Sequence, residues 1–414
     1  MQFYRRFGWE PTVLCIDAAT SDCPEDPLLE RALPPDIPVV RVPAWSEKQC
    51  RRFGFGQLGW RSLLPLHRAG SRLFCRERYD VVFFSTTVFT SFLLGRLWKR
   101  RFGCKIVYDY QDPWYSEACL YDSDNAPGGW WKYRIDQRIA AHLEPFALRA
   151  VDHIISVSRG YVAALTGRYP WLDGAKFTVL PFAGSQKDYD FLAEHAVQQT
   201  IYRTNCGRVQ WVSVGRAGPD MAPVIEVLFQ GIADLKARAP EFAAKLRLHF
   251  IGTNYAPANR TYKLVEPLAL LSGVGGIVAE SSLRVPYFEA LAANRDSDAI
   301  LLIGSVHADY TLSKLFTCIL AKRPTLALLN RASLATRIAA TFPNVFVATF
   351  DETPAEPEFR ASVERGIEWL RAPNFDSAAI DAAMAPWTAE TLTQAQCAVF
   401  DGVASPSAVE ENRS

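Results

Sequence analysis

The pair Ser313 and Lys314 stands between two short apolar runs, Ala299 to Ile303 and Thr325 to Leu329, and in that setting an anion can be held. Continuous apolar runs of this length are what strands look like when a parallel sheet is covered on both faces. Ser313 is of the type that caps a helix amino terminus, and Leu315, Phe316, Ile319 and Leu320 supply an apolar face for the helix that follows. Free backbone N–H groups at such a start favour negative charge, and a loop leaving the carboxyl end of a parallel strand is where open α/β sheets bind ligands. Lys314 falls in the first turn, where the helix dipole disfavours a cation, so its position suits a phosphate-bearing ligand better than it suits the helix.

Other reactive side chains are less concentrated. His67, His142, His153, His195, His249 and His307 have no ligand-like spacing, so no metal is expected, although His307 shares the loop with Ser313 and is a candidate phosphate contact. Gly215 and Gly218 follow an apolar run but complete no GxGxxG fingerprint with an acidic residue about 20 positions on, which disfavours a nicotinamide-dependent dehydrogenase. Glu280, Ser281 and Ser282 are placed after a strand, beside LRVPYFEAL, which reads as ordinary helix entry.

The elements that must position these residues follow from hydrophobic patterning. Strands are expected at Val13 to Ile16, Val39 to Val42, Val81 to Ser85, Lys105 to Tyr108, His153 to Val157 and Thr178 to Leu180, with amphipathic stretches between them. The pattern breaks after Pro181 and restarts with Val209 to Val214, Leu246 to Ile251, Gly276 to Val278, Ala299 to Ile303, Thr325 to Leu329 and Val345 to Ala348. Two tandem Rossmann-like, doubly wound α/β domains are therefore expected, over residues 1–195 and 206–372, followed by a helical segment at 373–402 and a tail at 403–414.

Bulk composition agrees with a globular chain. Of the 414 residues 49% are hydrophobic and 21% charged, and the formal net charge of +1 gives no reason to expect nucleic acid. Nine cysteines without a CxxC pair argue against a disulfide framework or zinc ribbon and for reduced thiols in a cytoplasmic setting. The opening residues lack the apolar core of a signal peptide, and no run approaches the roughly 18 apolar residues of a membrane helix. Charge is uneven, however: Lys48 to Arg101 holds twelve basic residues against Glu77 and Asp80. With Phe53, Phe55, Trp60, Phe74, Trp98 and Phe102 interleaved, this segment reads either as a solvated face or as a peripheral contact with anionic lipid on the inner face of a plasma membrane.

The stretch Asp296 to Leu329, the phrase KIVYDYQDPW, the phrase LRAVDHIISVSRGYVAAL, FGWEPTVLCID and LPFAG together resemble the retaining glycosyltransferases of the GT4 family, which have the GT-B fold. The resemblance implies two Rossmann-like domains facing a cleft, the carboxyl-terminal one holding a nucleotide-diphosphate sugar and the amino-terminal one a glycan or lipid-linked hydroxyl acceptor. It implies no metal and no cofactor, because basic side chains and helix ends neutralise the leaving diphosphate. Carried over residue by residue, it gives Ser313 and Lys314 to the donor phosphates, and Arg216 beside Gly215 to the diphosphate. Asp309 and Thr317 stand where many members have two glutamates, for the donor sugar and the ribose. Asp112 and Trp114 match the DxRDPW loop on the acceptor side.

Departures accompany the match. Thr317 lacks the charge of a glutamate, Met221 replaces a lysine about five positions after Arg216, and Gln111 replaces the arginine of DxRDPW. Relatives also begin with a strand and a glycine-rich loop before the helix that corresponds to FYRRFG, so one βα unit upstream is expected, without which Val13 to Ile16 and Val81 to Phe84 lack a shared neighbour. The expected activity is glycosyl transfer in polysaccharide or cell-surface glycan synthesis, with Asp309, Lys314 and Arg216 as catalytic residues. The alternative is a non-catalytic, degenerate GT-B protein that binds a glycan or a partner.

Overall fold

The computed structural model describes residues 1–21, 26–115, 130–254 and 261–405. Cys23, Cys119 and the part of the expected tail at 406–414 lie outside the described residues. The strands are β1 (Val13–Ile16), β2 (Val39–Val42), β3 (Val81–Ser85), β4 (Lys105–Tyr110), β5 (His153–Ser156), β6 (Phe177–Val179), β7 (Val209–Val214), β8 (Leu246–Ile251), β9 (Val278–Ser281), β10 (Ala299–Ile303), β11 (Thr325–Asn330) and β12 (Val345–Phe350).

The described residues pack into two compact units, one from Met1–Glu25, Pro34–Pro181 and Leu392–Ser414, the other from Asp26–Leu33 and Phe182–Thr391. The division falls at residue 181 instead of between 195 and 206. Two segments also change sides: helix Pro27–Arg31 belongs to the second unit, and most of helix Ala389–Ala404 to the first. The reason is packing, since Phe400 and Cys397 are buried against Val107 and Ile155 of the first sheet, whereas Leu28 and Ala32 pack on the second core.

In the second unit six parallel strands run in the order β12-β11-β10-β7-β8-β9. Their central strands are largely apolar on both faces because helices cover both, with β10, Ala299–Ile303, apolar throughout. Trp211, Leu301, Ile303, Leu326 and Leu328 face one core, and the alternating set Val212, Ile300, Leu302, Ala327 and Leu329 faces the other. Each fully buried aliphatic side chain contributes roughly 1.5–3 kcal/mol, so these central strands supply much of the unit's burial energy. Glu280 and Ser281 lie within β9 instead of after it, and Glu280 is buried. Its carboxylate accepts the N–H groups of Val265 and Glu266 at 2.8 and 2.9 Å, so it caps helix Val265–Leu271.

In the first unit β3-β4-β5-β6 form a four-stranded parallel sheet, while β1 and β2 pair with each other alone. Among the described residues β1 and β3 have no shared neighbour. The basic segment is only partly a surface. Trp98 is buried, Phe74 stacks on Phe102 with ring centres 4.6 Å apart, and buried Arg61 donates to the carbonyls of Thr20 and Trp45 at 2.7 and 3.0 Å. Phe53 and Phe55 are its exposed aromatic side chains.

A buried carboxylate locks this unit. Glu144, on helix Trp130–Leu148, accepts from the Tyr169 hydroxyl at 2.8 Å and the Arg168 guanidinium at 2.9 Å, and the Tyr115 N–H lies 3.4 Å from it. Burial pushes its pKa up, and the bonds from Tyr169 and Arg168 oppose that shift. Removing one partner of such a pair leaves the other charge buried and uncompensated. Glu144→Ala is expected to lower the unfolding free energy by about 3–5 kcal/mol, with Glu144→Gln losing less, as read from urea midpoints.

Candidate functional site

The strand order of the second unit reverses between β7 and β10. From β7 the chain proceeds to β8 and β9 on one side, then crosses to β10, β11 and β12 on the other. The loops that leave the carboxyl ends of β7 and β10 therefore part in opposite directions and leave a crevice. Gly215 and Arg216 follow β7, and the loop from Gly304 to Lys314 follows β10, so topology brings together groups about 100 positions apart in sequence.

Gly215 has a φ of +107°, and a Cβ built on it would lie 3.4 Å from Lys314 Cδ and 3.7 Å from its Nζ. The Lys314 ammonium is thus laid over a backbone position that only glycine suits. Lys314 is half-buried; desolvation lowers its pKa to about 8, opposed by Cys318 and aided to a smaller extent by the nearby Arg216 charge. Burial pushes the Cys318 thiol up to about 11, so it stays neutral beneath the lysine. Among the described residues the Lys314 ammonium makes no ion pair with a carboxylate, and the Arg216 charge acts on it, which is an arrangement suited to an anion.

Arg216 is held from its other side. It is half-buried and bonds Asp220 through both guanidinium nitrogens, one at 3.2 Å from Nη1 to Oδ2. Burial would raise the Asp220 pKa, but the Arg216 bonds and charge, with Ser305, outweigh it and hold the carboxyl below the usual range. The Asp220 carbonyl accepts the Val306 N–H at 3.0 Å, which ties the β7 loop to the β10 loop. Met221 is completely buried in the core, so that position presents no side chain here at all.

Three expectations change in this loop. The helix begins at Leu315 with Lys314 as its cap residue, and exposed Ser313 makes no capping bond. The turn closes through the backbone instead, Leu315 N–H to Leu312 C=O at 3.1 Å, so Ser313 has no local work as a cap. Thr317 turns its hydroxyl back onto the Lys314 carbonyl at 2.8 Å, while the Tyr189 hydroxyl donates to the Thr317 carbonyl at 2.6 Å. Thr317 therefore fixes the lysine backbone and points no free donor at a ribose. Asp309 and His307 are exposed on the loop, and among the described residues Asp309 makes no hydrogen bond or ion pair.

Sequence reasoning missed a second polar cluster, in the first unit. Asp109, at the end of β4, is buried, and its carboxylate accepts from Ser85 Oγ at 2.9 Å and Gln111 Nε2 at 2.7 Å. Burial raises its pKa, and those two bonds oppose the rise. The matched loop residues behave otherwise: Asp112 is exposed, and Trp114 stacks on Phe89 with ring centres 5.8 Å apart, a packing role. The signal that could have found Asp109 is an acidic residue inside an otherwise apolar central strand.

The family model described as glycosyl transferase 4-like domain matches residues 2–183. Among solved structures, HepE of Anabaena, crystallised with UDP and glucose, is similar at 15% identity, covering 94% of this chain and 99% of its own, with a TM-score of 0.59. A UDP-forming α,α-trehalose-phosphate synthase from Burkholderia xenovorans is similar at 12% identity over 82% of this chain and 78% of its own, TM-score 0.57. A glycosyltransferase from Rickettsia africae is similar at 11% identity over 96% and 91%, TM-score 0.54. No curated protein matches. The two Rossmann-like units are thus those of the GT-B fold, and the stretch similar to the glycosyl transferase 4-like domain makes up most of the first.

In this GT-B chain the charge coupling at the second unit is directly measurable. Arg216→Gln removes the like charge facing Lys314 but leaves its desolvation, so the Lys314 pKa is expected to rise above about 8 without reaching the ordinary lysine value. An unchanged titration of the Lys314 Cε signal by NMR would show that the two cations are not coupled.

Proposed function

We propose that this chain transfers a glycosyl group from a nucleotide-diphosphate sugar to a hydroxyl acceptor, with retention of configuration, in the assembly of a polysaccharide or cell-surface glycan. The observation that carries the reading is the Lys314 ammonium over Gly215, with Arg216 beside it, where the strand order reverses. The UDP and UDP-glucose complexes of HepE support the donor class.

In this reading the diphosphate lies against Lys314 and Arg216. Negative charge grows on the departing phosphate as the glycosidic bond breaks, so a cation already fixed and partly desolvated there stabilises the transition state more than the ground state. Binding the anion stabilises the charged form of Lys314 and raises its pKa again. The departing phosphate oxygen takes the acceptor proton on the same face. Asp309, free on its loop, orients the donor sugar, and exposed Ser313 approaches the phosphates. On the acceptor side Asp109 accompanies Asp112, because it is the carboxylate that Ser85 and Gln111 hold in place.

Calorimetry with UDP, GDP and ADP tests the donor site. One of them is expected to bind in the micromolar range, with Lys314→Ala weakening it about tenfold to a hundredfold, corresponding to loss of a charged hydrogen bond of roughly 1.5–3 kcal/mol. The pH dependence has a definite sign. Because Lys314 is protonated below a pKa of about 8, affinity is expected to be flat below pH 7 and to fall as pH rises through 8. Absence of binding by all three nucleotides would favour the non-catalytic GT-B reading.

Contact of the first unit with an anionic bilayer rests on Phe53 and Phe55, 77% and 55% exposed, which follow helix Glu47–Arg51 beside Arg51 and Arg52. Flotation with phosphatidylserine vesicles at low salt is expected to carry the protein up, and a Phe53→Ala/Phe55→Ala variant to stay in the dense fraction.

A further inference from the structure

We infer that the first unit carries a second anion pocket, on the flank of β2, which binds an acidic saccharide through a fixed tryptophan, Trp45, and two arginines, Arg68 and Arg72. The device that fixes the tryptophan starts with a proline. Pro65 stands inside helix Leu58–Phe74 and, lacking an N–H, cannot bond the carbonyl four residues before it, that of Arg61. That carbonyl accepts the Trp45 N–H instead, at 3.1 Å. The buried Arg61 side chain completes the clamp, donating to the Trp45 carbonyl at 3.0 Å and to the Thr20 carbonyl at 2.7 Å. Beside it the Thr20 hydroxyl accepts the Ala44 N–H at 2.9 Å. Both backbone groups of Trp45 are thus bonded, yet the residue is 47% exposed. An indole that served packing would be covered; one held in place and left open is a prepared binding face.

Trp45 borders a cavity of about 450 Å³ between β2 and helix Leu58–Phe74. Pro43, Pro65 and Ala69 give it apolar walls, and its charged lining consists of Arg41, Arg68 and Arg72 without an acidic residue. Arg68 and Arg72 are four positions apart on one helix and so share a face, where like charges oppose each other. Among the described residues neither of these two makes a hydrogen bond or an ion pair. An anion bound between them removes that repulsion.

These features select the ligand. Guanidinium groups grip carboxylate, sulfate or phosphate oxygens with paired N–H donors. The open indole suits the C–H face of a sugar ring, which is apolar while the hydroxyls stay at its rim. The cavity volume falls within the roughly 300–1,000 Å³ of small-molecule sites, enough for one or two sugar rings. A neutral glycan leaves the arginines unanswered, and an inorganic anion leaves Trp45 uncovered; a sugar bearing an anionic group uses both. A bilayer is disfavoured because Trp45 lines a hollow, whereas lipid contact calls for side chains that project, as Phe53 and Phe55 are placed to do.

Calorimetry on the full chain tests the pocket, with tetragalacturonate and glucose 6-phosphate as probes and maltotetraose, inorganic phosphate and phosphatidylserine vesicles as controls. At least one probe is expected to bind, and which one identifies the anionic group. Arg68→Gln/Arg72→Gln and Trp45→Ala are each expected to weaken that probe about tenfold or more. Urea midpoints for the arginine variant are expected to stay at the wild-type value, because both side chains are exposed. UDP affinity in both variants is expected to match the wild type, which separates this pocket from the Lys314 site. The proposal is overturned if neither probe binds, if either variant binds the probe as the wild type does, or if maltotetraose or phosphate binds as tightly. Binding of the vesicles alone would also overturn it and make this face a lipid contact.

Discussion

The reversal of strand order at β7 and β10 is the constraint on which the second unit depends. Once β7 is paired with β8 on one side and β10 on the other, the loops that follow β7 and β10 must separate, and whatever they carry faces the gap. The pairing is sequence-driven, since β7, β10 and β11 are apolar on both faces and have no register in which one face could meet water. The site residues are consequently anchored at the ends of strands buried on both faces, and their own loops need supply little rigidity.

That rigidity explains how Lys314 is kept partly desolvated. A lysine on a mobile surface would swing into water and titrate normally. Here the Thr317 hydroxyl and the Cys318 N–H both bind the Lys314 carbonyl, at 2.8 and 3.1 Å, while Gly215 leaves room for the side chain to lie across the backbone. Gly184 supports the same helix from beneath: a Cβ there would meet Phe316 Cβ and Leu320 Cδ1 at 3.2 Å, so LPFAG supplies close approach as well as chain reversal. The cost of desolvating the ammonium is sustained by packing elsewhere, and an anion arriving at the site recovers it.

Much of this architecture was legible because it follows from local pattern. Six of the expected strands, including Val13 to Ile16 and Ala299 to Ile303, coincide with the observed ones, since a short run dominated by apolar residues and bounded by polar ones is a strong strand signal. Lys314 was legible as a cation near a helix start, although the reason differed: the helix starts one residue after it, and the neighbour that matters is Gly215, a contact across the sheet that spacing cannot reveal. Glu280 and Asp109 were misread or missed for a shared reason. Each is a carboxylate inside a strand, and whether it serves structure or a site depends on which N–H or O–H groups the tertiary fold delivers to it.

The two units apply the same rule with different chemistry. In the second, cations gather at the carboxyl ends of β7 and β10; in the first, Asp109 ends β4 beside Ser85 at the end of β3. Gln111 bonds both of them, at 2.7 Å to Asp109 and 3.2 Å to Ser85 Oγ. An arginine in that place, as in the DxRDPW pattern, would neutralise Asp109 and hold its pKa down. The neutral amide leaves the negative charge uncompensated, and burial then raises the pKa. Gln111 thus leaves Asp109 a buried carboxyl held by two neutral donors, Ser85 and Gln111, where an arginine would make it half of an ion pair.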